Sequence, residues 1–289
     1  MEREKNKTEG MTLDLVATPI GNLSDISERA VKVLSEVDFI AAEDTRNSAK
    51  LLSCLGIKKS LISYHEHNKK SAGEKILERL RGGESCALIT DAGMPAISDP
   101  GEDIVRLLAA DGIRVSVVPG ACACVSALSL SGLATGRFCF EGFLPAVKGE
   151  RRARLEKVKY EERTMIFYEA PHKLKATLLD MLECFGRERH ISLCRELTKL
   201  NEEVIRTTLG AACEYYEANE PRGEYVLVIE GGEEAGIQKP TEADSLNSLT
   251  PEEHVNHYEN AGLSRMDAIK KAAKDRGTTK SELYKLLHS

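Results

Sequence analysis

Through the first half of the chain, short apolar runs alternate with longer segments whose apolar residues recur every three or four positions. LDLVA at 13–17, VDFIAA at 37–42, LISY at 61–64, SCALIT at 85–90 and RVSVV at 114–118 predict strands. SERAVKVLSE at 27–36, NSAKLLSCL at 47–55, SAGEKILERLR at 71–81 and DPGEDIVRLLAADG at 99–112 predict helices between them. Such alternation predicts a mostly parallel α/β sheet. The last of these helices has legible ends, with Asp99 as N-cap, Pro100 and Glu102 in the first turn and Gly112 as the stop.

Residues 115–136 carry no charged side chain and are long enough to span a bilayer. Pro119-Gly120 divides them, so VSVV predicts a buried strand, Pro-Gly a turn and CACVSALSLSGL a buried helix packed on the sheet, not a membrane span. Strands then come closer together, at 138–143, 165–170, 191–197, 202–209 and 224–231, with helices at about 149–161, 171–185 and 210–219. No helix separates the two strands between 191 and 209, which predicts a hairpin and hence a mixed sheet. The expected organisation is a disordered tail over 1–11, α/β domains over 12–133 and 134–231, and a polar, acidic linker over 232–249. Three short helices with helix-turn-helix-like spacing follow over 250–289, their starts marked by Ser264 with Asp267 and by Thr279 or Ser281 with Glu282. This terminal unit either contacts nucleic acid or only packs on the body or dimerises it.

Forty basic against 46 acidic side chains give a net charge of −6, so no global positive field recruits nucleic acid. Any such contact must be local, and RRARLEKVK at 151–159 and KKAAKDRGTTK at 270–280 are the densest basic runs. The eight cysteines lie mostly in apolar stretches, and only Cys122 and Cys124 are close, which predicts reduced core thiols, no metal site and a cytoplasmic protein. Met1 to Gly10 has no apolar run behind it, so no secretory leader is expected.

No G-x-G-x-x-G, P-loop, G-x-S-x-G, H-E-x-x-H or paired C-x-x-C is present, which demotes dehydrogenase, NTPase, hydrolase and zinc-enzyme readings. What remains is a set of polar, Gly/Pro-rich turns at the carboxyl ends of strands, where open α/β sheets bind ligands. ATPIGNLSD at 17–25 follows the first strand, and AAEDTRNS at 41–48 places Glu43, Asp44, Thr45 and Arg46 after the second. Each of these turns is also explained by helix capping alone. In YHEHN at 64–68, His65 and His67 would point one way on an extended strand and Glu66 the other, a weak metal signal without a third ligand. TDAGMPAISDPGED at 90–103 and VVPGACACVSA at 117–127 put small residues where a flat ligand can approach the backbone. FYEAPHK at 167–173 and CRELTKLNEE at 194–203 add Glu169, His172, Arg195 and Glu196, the last two equally explained as a structural ion pair.

Taken in order, LVATPIGNLSDI, IAAEDTR, TDAGMPAISDPG, VVPGACACVSAL, FEGFLP, FYEAPHK, RELTK and GEYVLVIEG resemble the small-subunit ribosomal RNA cytidine 2′-O-methyltransferase I family of the tetrapyrrole methylases. The resemblance spans residues 13 to about 231. It implies two α/β domains of the tetrapyrrole methylase type, S-adenosylmethionine in the cleft between them, a homodimer, and methyl transfer to a cytidine 2′-hydroxyl in the decoding region. Carried over, Pro19, Asp91, Ala92, Gly93, Ile97, Cys122, Ala123, Tyr168, Glu169, Ala170, Val226 and Leu227 would border the cofactor. Glu43, Asp44, Arg46, His65, Glu66, Arg195 and Glu196 would face ribosomal RNA or the assembled small subunit, with a carboxylate or His65 as proton acceptor and Arg46 or Arg195 on a phosphate. Met94 stands where Thr is common, Ala121-Cys122 replace a Pro-Ser pair and Lys173 replaces Arg. A methylase of the same fold acting on a tetrapyrrole or protein side chain, and a non-catalytic nucleotide- or RNA-binding protein, are the rivals.

Overall fold

A computed structural model describes residues 11–236, 246, 247 and 249–287. Residues 1–10 of the tail expected over 1–11, residues 237–245 and 248 of the expected linker, and residues 288–289 lie outside them, while the Met11 amide donates to the Glu84 carbonyl at 2.9 Å. The chain forms two compact units, one through Ala235 and one from Gly236.

The first unit opens with the predicted alternation: β1 (Thr12–Val16), α1 (Glu28–Glu36), β2 (Phe39–Ala42), α2 (Thr45–Cys54), β3 (Ser60–Ser63), α3 (Lys69–Arg81), β4 (Cys86–Ile89), α4 (Gly101–Ala110) and β5 (Arg114–Val118). The strands form one sheet, ordered β3-β2-β4-β1-β5, and every pairing is parallel. A parallel sheet is covered on both faces, and β2 and β4 are accordingly buried throughout. Leu13, Phe39 and Leu88 pack with Ile76 and Leu80 of α3 and Ile104 and Leu108 of α4. The opposite face carries Val16, Ile40 and Ile89 against Leu34 of α1 and Leu52 of α2.

Helix α4 starts slightly later than its sequence signature. Asp99 Oδ1 accepts the N–H groups of Ala96 and Gly101 at 3.0 and 2.7 Å, so it satisfies the helix start from one turn of loop earlier. Gly112, at φ +72°, ends it as expected.

The uncharged helix α5 (Ala123–Ser131) leaves the first sheet and packs on the second: Cys124, Ala127 and Leu128 meet Ile166, Cys194, Val226 and Val228. Its other face, with Val125, Ser129 and Leu130, is exposed, so the uncharged segment is not buried all round as its sequence suggested. The second sheet contains β6 (Phe138–Phe143), β7 (Thr164–Glu169), β8 (His190–Arg195), β9 (Glu203–Thr208) and β10 (Tyr225–Ile229) in the order β6-β7-β10-β8-β9. β6 and β7 are parallel and the other pairs antiparallel, including the predicted β8–β9 hairpin. Helices α6 (Lys148–Val158), α7 (Pro171–Phe185) and α8 (Leu209–Ala218) cover its outer face through Leu155, Leu178 and Leu209. Within that layer the buried Arg151 grips Asp180 at 2.6 Å, and Arg152 holds the other carboxylate oxygen at 2.8 Å.

In the second unit α9 (Pro251–Asn260), α10 (Arg265–Asp275) and α11 (Lys280–Leu286) enclose Val255, Ile269 and Leu283. The caps expected at Ser264 and Thr279 are formed, and Thr250 with Glu253 makes a further capping box. Among the described residues no helix is long and apolar enough to cross a membrane.

Candidate functional site

A cavity of about 450 Å³ lies where the strand ends of the two sheets meet. From the first sheet its walls come from the turns after β1, β2, β4 and β5; from the second, from the ends of β6, β7 and β8 and the start of β10. Polar turns collect there because seven of these strands end at this edge, and β10 starts from it.

The floor is tied together by backbone. Thr18 and Gly93 exchange hydrogen bonds at 2.9 and 3.1 Å, and the Thr18 hydroxyl donates to the carbonyl of Thr90 at 3.1 Å. Gly93 has φ +87°, and a Cβ there would sit 3.3 Å from Ile20. Beside it the Thr90 hydroxyl donates to Glu43 Oε2 at 2.8 Å. Asp91 receives the Asp44 amide at 3.3 Å and the Asn47 side chain at 3.0 Å, which turns this carboxylate toward the start of α2. Asp44 caps α2 through the Arg46 amide at 2.8 Å and is gripped by both ends of the Arg46 guanidinium. Those hydrogen bonds pull the Asp44 carboxyl down to about 2.

Across the cleft, Tyr168 is clasped edge-on by Phe140 and Phe143, and its hydroxyl accepts the Cys124 amide at 3.1 Å. Burial pushes its phenol up. Glu169 is buried, with one oxygen on the Ala170 amide and the other on the Thr177 hydroxyl. Glu196 Oε1 accepts from Lys199 Nζ at 2.8 Å and from the Glu224 amide at 3.0 Å, while Lys199 also reaches Glu224 at 2.8 Å. The Lys199 ammonium, followed by the Glu224 amide, holds the Glu196 carboxyl below its usual range. Burial works against the Lys199 charge, but the two carboxylates outweigh it and raise its pKa.

Four of the five described non-glycine residues with positive φ lie in two loops of this cleft: Ala96 and Ser98, and Glu196 and Thr198. Strained backbone gathered at one concave site is a mark of ligand-handling loops. Six carboxylates and one ammonium line the cavity, so its field favours a cationic guest.

Of the residues singled out in the sequence, Glu43, Asp91, Ala92, Gly93, Ile97, Cys122, Ala123, Tyr168, Glu169, Ala170, Glu196 and Val226 line this cavity. Pro19 precedes a lining residue, Ile20. Leu227, next to Val226 on β10, faces the outer core because successive strand residues alternate sides. Asp44 and Arg46 form their own exposed pair at the rim. Arg195 pairs with Glu203 at 3.3 Å across the β8–β9 hairpin and Glu196 with Lys199, so each finds a partner other than the sequence neighbour expected for an ion pair.

YHEHN departs from the expected extended strand. β3 ends at Ser63, and residues 66–68 form a turn in which Asn68 accepts the His65 amide at 2.8 Å and donates to the Ser63 carbonyl at 3.0 Å. His65 and His67 therefore do not share a strand face; their rings stand edge-on 5.9 Å apart, and Glu66 pairs with Lys69 at 2.7 Å. The side chain of Asn68, able to close an Asx-type turn, was the local signal for this. No group of three or more potential metal ligands occurs among the described residues.

Thr90, Asp99, Phe143, Lys199 and Glu224 also line the cavity, beyond the sequence candidates. Asp99 was visible as a helix cap and Lys199 as the last letter of RELTK. Glu224 precedes a strand, where a rule based on carboxyl ends does not look.

Comparison with known proteins agrees with this architecture. The model of the tetrapyrrole (corrin/porphyrin) methylases matches residues 12–213. A ribosomal RNA small subunit methyltransferase I of Halalkalibacterium halodurans is 49% identical over 96% of this chain and 94% of its own length. The protein of that name from Bacillus subtilis is 46% identical, again over 96% and 94%. Among solved structures, diphthine synthase superposes with a TM-score of 0.59 at 13% identity, covering 76% of this chain and 90% of that one. Uroporphyrin III C-methyltransferase from Thermus thermophilus gives 0.55 at 17%, over 76% and 97%. The chain therefore belongs to the tetrapyrrole (corrin/porphyrin) methylases and, within them, to the ribosomal RNA small subunit methyltransferase I family.

Proposed function

We propose that this chain methylates small-subunit ribosomal RNA, with S-adenosylmethionine as donor and the ribose 2′-hydroxyl of a cytidine in the decoding region as acceptor. The carrying observation is the near full-length likeness to relatives named ribosomal RNA small subunit methyltransferase I. The cytidine, the 2′ position and the decoding region come from the motif resemblance, as do the homodimer and a cytoplasmic setting.

The residues of the cleft fit the donor. Its volume lies in the range of small-molecule sites. Ile20, Ile97, Phe143 and Val226 supply apolar wall, and the acidic lining suits a sulfonium and an ammonium. Asp99 Oδ2 is buried without a hydrogen-bond partner and is free to accept from a cationic amine. When bound, S-adenosylmethionine supplies an electrophilic methyl group.

The chain must then align a weak nucleophile and take its proton. Of the four acceptors considered in the sequence, Glu43 lines the cleft, Asp44 is committed to Arg46, and His65 and Glu66 sit in the turn after edge strand β3. That supports Glu43 as the group accepting the 2′-hydroxyl proton, aimed by the Thr90 hydroxyl on its Oε2. Lys199, held as an ammonium by Glu196 and Glu224, supplies a positive charge for a phosphate at the cleft. The base proposal would be overturned by full activity in the Glu43→Gln protein.

The test of substrate is transfer of labelled methyl from S-adenosylmethionine to small ribosomal subunits from a strain lacking the endogenous enzyme, followed by nucleoside analysis. Label in 2′-O-methylcytidine is the expected result. Label in another nucleoside, or none despite donor binding, refutes the acceptor named here.

A further inference from the structure

Cys122 and Cys124 stand apart from the other cysteines. Their sulfurs are 3.3 Å apart across the start of α5. Cys122 is half-buried and lines the cleft, whereas Cys124 is buried in the core between α5 and the second sheet. One sulfur can meet a small solute and the other waits behind it.

We propose that Cys122 and Cys124 form a redox-active dithiol in the cleft wall, with Cys122 attacked by hydrogen peroxide and Cys124 resolving the product to a disulfide. Local chemistry supports the order. Cys122 occupies the N-cap position of α5 in extended conformation, at φ −144° and ψ 110°, with no capping hydrogen bond from its side chain. The Cys124 thiol, and behind it the Val125 and Cys124 amides, bring the Cys122 thiol down to about 6 against the effect of burial. The same contact and burial raise Cys124, which therefore keeps its proton. Burial raises Cys86, Cys139, Cys184, Cys194 and Cys213 and leaves them inert.

In the first step the Cys122 thiolate attacks one peroxide oxygen, the O–O bond breaks, and the hydroxide that leaves takes up a proton to become water. In the second, the Cys124 sulfur attacks the Cys122 sulfur, the S–O bond breaks, and the sulfenic hydroxyl departs as water with the Cys124 proton. Two thiols are oxidised, one peroxide is reduced, and two waters result. Closing the bond draws Cys122 inward and disturbs the turn whose Cys124 amide holds the Tyr168 hydroxyl at 3.1 Å. Oxidation thus reshapes the donor wall, a consequence that rests on the proposed S-adenosylmethionine site.

The experiment treats the intact chain with hydrogen peroxide, alkylates the remaining thiols, and maps residues 122–124 by mass spectrometry. S-adenosylmethionine affinity is measured on the same samples before oxidation, after it, and after dithiothreitol. The expected result is a 122–124 peptide two hydrogens lighter, with affinity reduced about tenfold or more and restored by reductant. C124S and C124A should bind the donor like the parent and accumulate a dimedone-reactive sulfenic acid at Cys122. Alkylatable Cys122 under peroxide that oxidises the exposed Cys54 overturns the dithiol; a disulfide without loss of affinity overturns its effect on the cleft. Reduced protein that fails to bind the donor counts against the proposed function instead, while the mass map still decides the dithiol.

Discussion

The two sheets reach the same cleft by different rules. In the parallel sheet all five strands run one way, so whatever follows β1, β2, β4 and β5 arrives at the cleft, and edge strand β3 delivers His65 and Glu66 away from it. In the mixed sheet β6, β7 and β8 end at the cleft but β10, antiparallel to β7 and β8, begins there. Glu224 and Tyr225 are consequently site residues at the amino end of a strand. The carboxyl-end rule accounts for every cleft turn of the first sheet and for three of the four cleft strands of the second.

The sheets also differ in what they offer. The parallel side presents Glu43, one of whose oxygens accepts from the Thr90 hydroxyl, whereas the mixed side presents Glu196, Lys199 and Glu224 locked to one another. The proposed function puts proton transfer on the first side and substrate holding on the second. Glu43→Gln should lower kcat by about 10²–10⁴-fold, with donor affinity within about twofold of the parent by calorimetry. Glu196→Gln should act mainly on KM for the ribosomal substrate. An equal fall in kcat for both variants would break the division.

Stability offers the next largest contrast. The mixed-sheet layer contains the buried Arg151–Asp180 pair, both side chains under a tenth exposed. Asp180→Ala leaves a guanidinium buried without its carboxylate and should cost about 3–5 kcal/mol in denaturant titration. A loss below about 1 kcal/mol would mean that the pair behaves like a surface one.

How much of this was legible in the sequence follows the same divide. Alternation of apolar runs and amphipathic segments located every strand of the first sheet, although only β2 and β4 are buried throughout and the edge strands β3 and β5 are largely half-exposed, against the buried strand expected at VSVV. The hairpin at 191–209 announced a mixed sheet, but not that β10 would be inserted between β7 and β8, since pairing order is set by packing over long sequence separations. Asp91 and Gly93 were readable from the turn after a strand, whereas Tyr168, inside β7, entered only through the family resemblance. Lys199 was visible within RELTK, but its role was not: Glu196 is a local partner, whereas Glu224 meets it only once β10 is in place. The helix at 123–131 read as buried, but the sheet it covers could not be read from its own pattern.

A smaller effect probes the holding role directly. Lys199→Ala should weaken binding of small ribosomal subunits about tenfold and reduce the slope of log affinity against log salt by about 1, as expected for one lost phosphate contact. Arg46→Ala, removing an exposed charge on the parallel side, supplies the comparison. An unchanged slope for Lys199→Ala would remove this lysine from the RNA-facing surface and leave it as a brace between Glu196 and Glu224.

The smallest effect has opposite signs in the two halves. Asp180 and Asp14 are both buried, and burial alone raises both carboxyls. For Asp180 the hydrogen bonds from Arg152 and Arg151 prevail and its pKa is lowered. Its contribution is present above the unfolded value of about 3.9 and is lost as pH falls through the folded one. For Asp14, on β1, burial outweighs the Ser116 hydrogen bond and the charges of Arg114 and Arg29, and Oδ2 has no hydrogen-bond partner. Its pKa is raised, so its contribution is full below the unfolded value and is lost as pH rises through the folded one. Asp14→Asn should therefore melt higher than the parent at pH 7, and the difference should shrink on acidification toward pH 4. A lower melting temperature at pH 7 would mean that the ionised carboxylate supports the parallel sheet, and the contrast between the two halves would vanish.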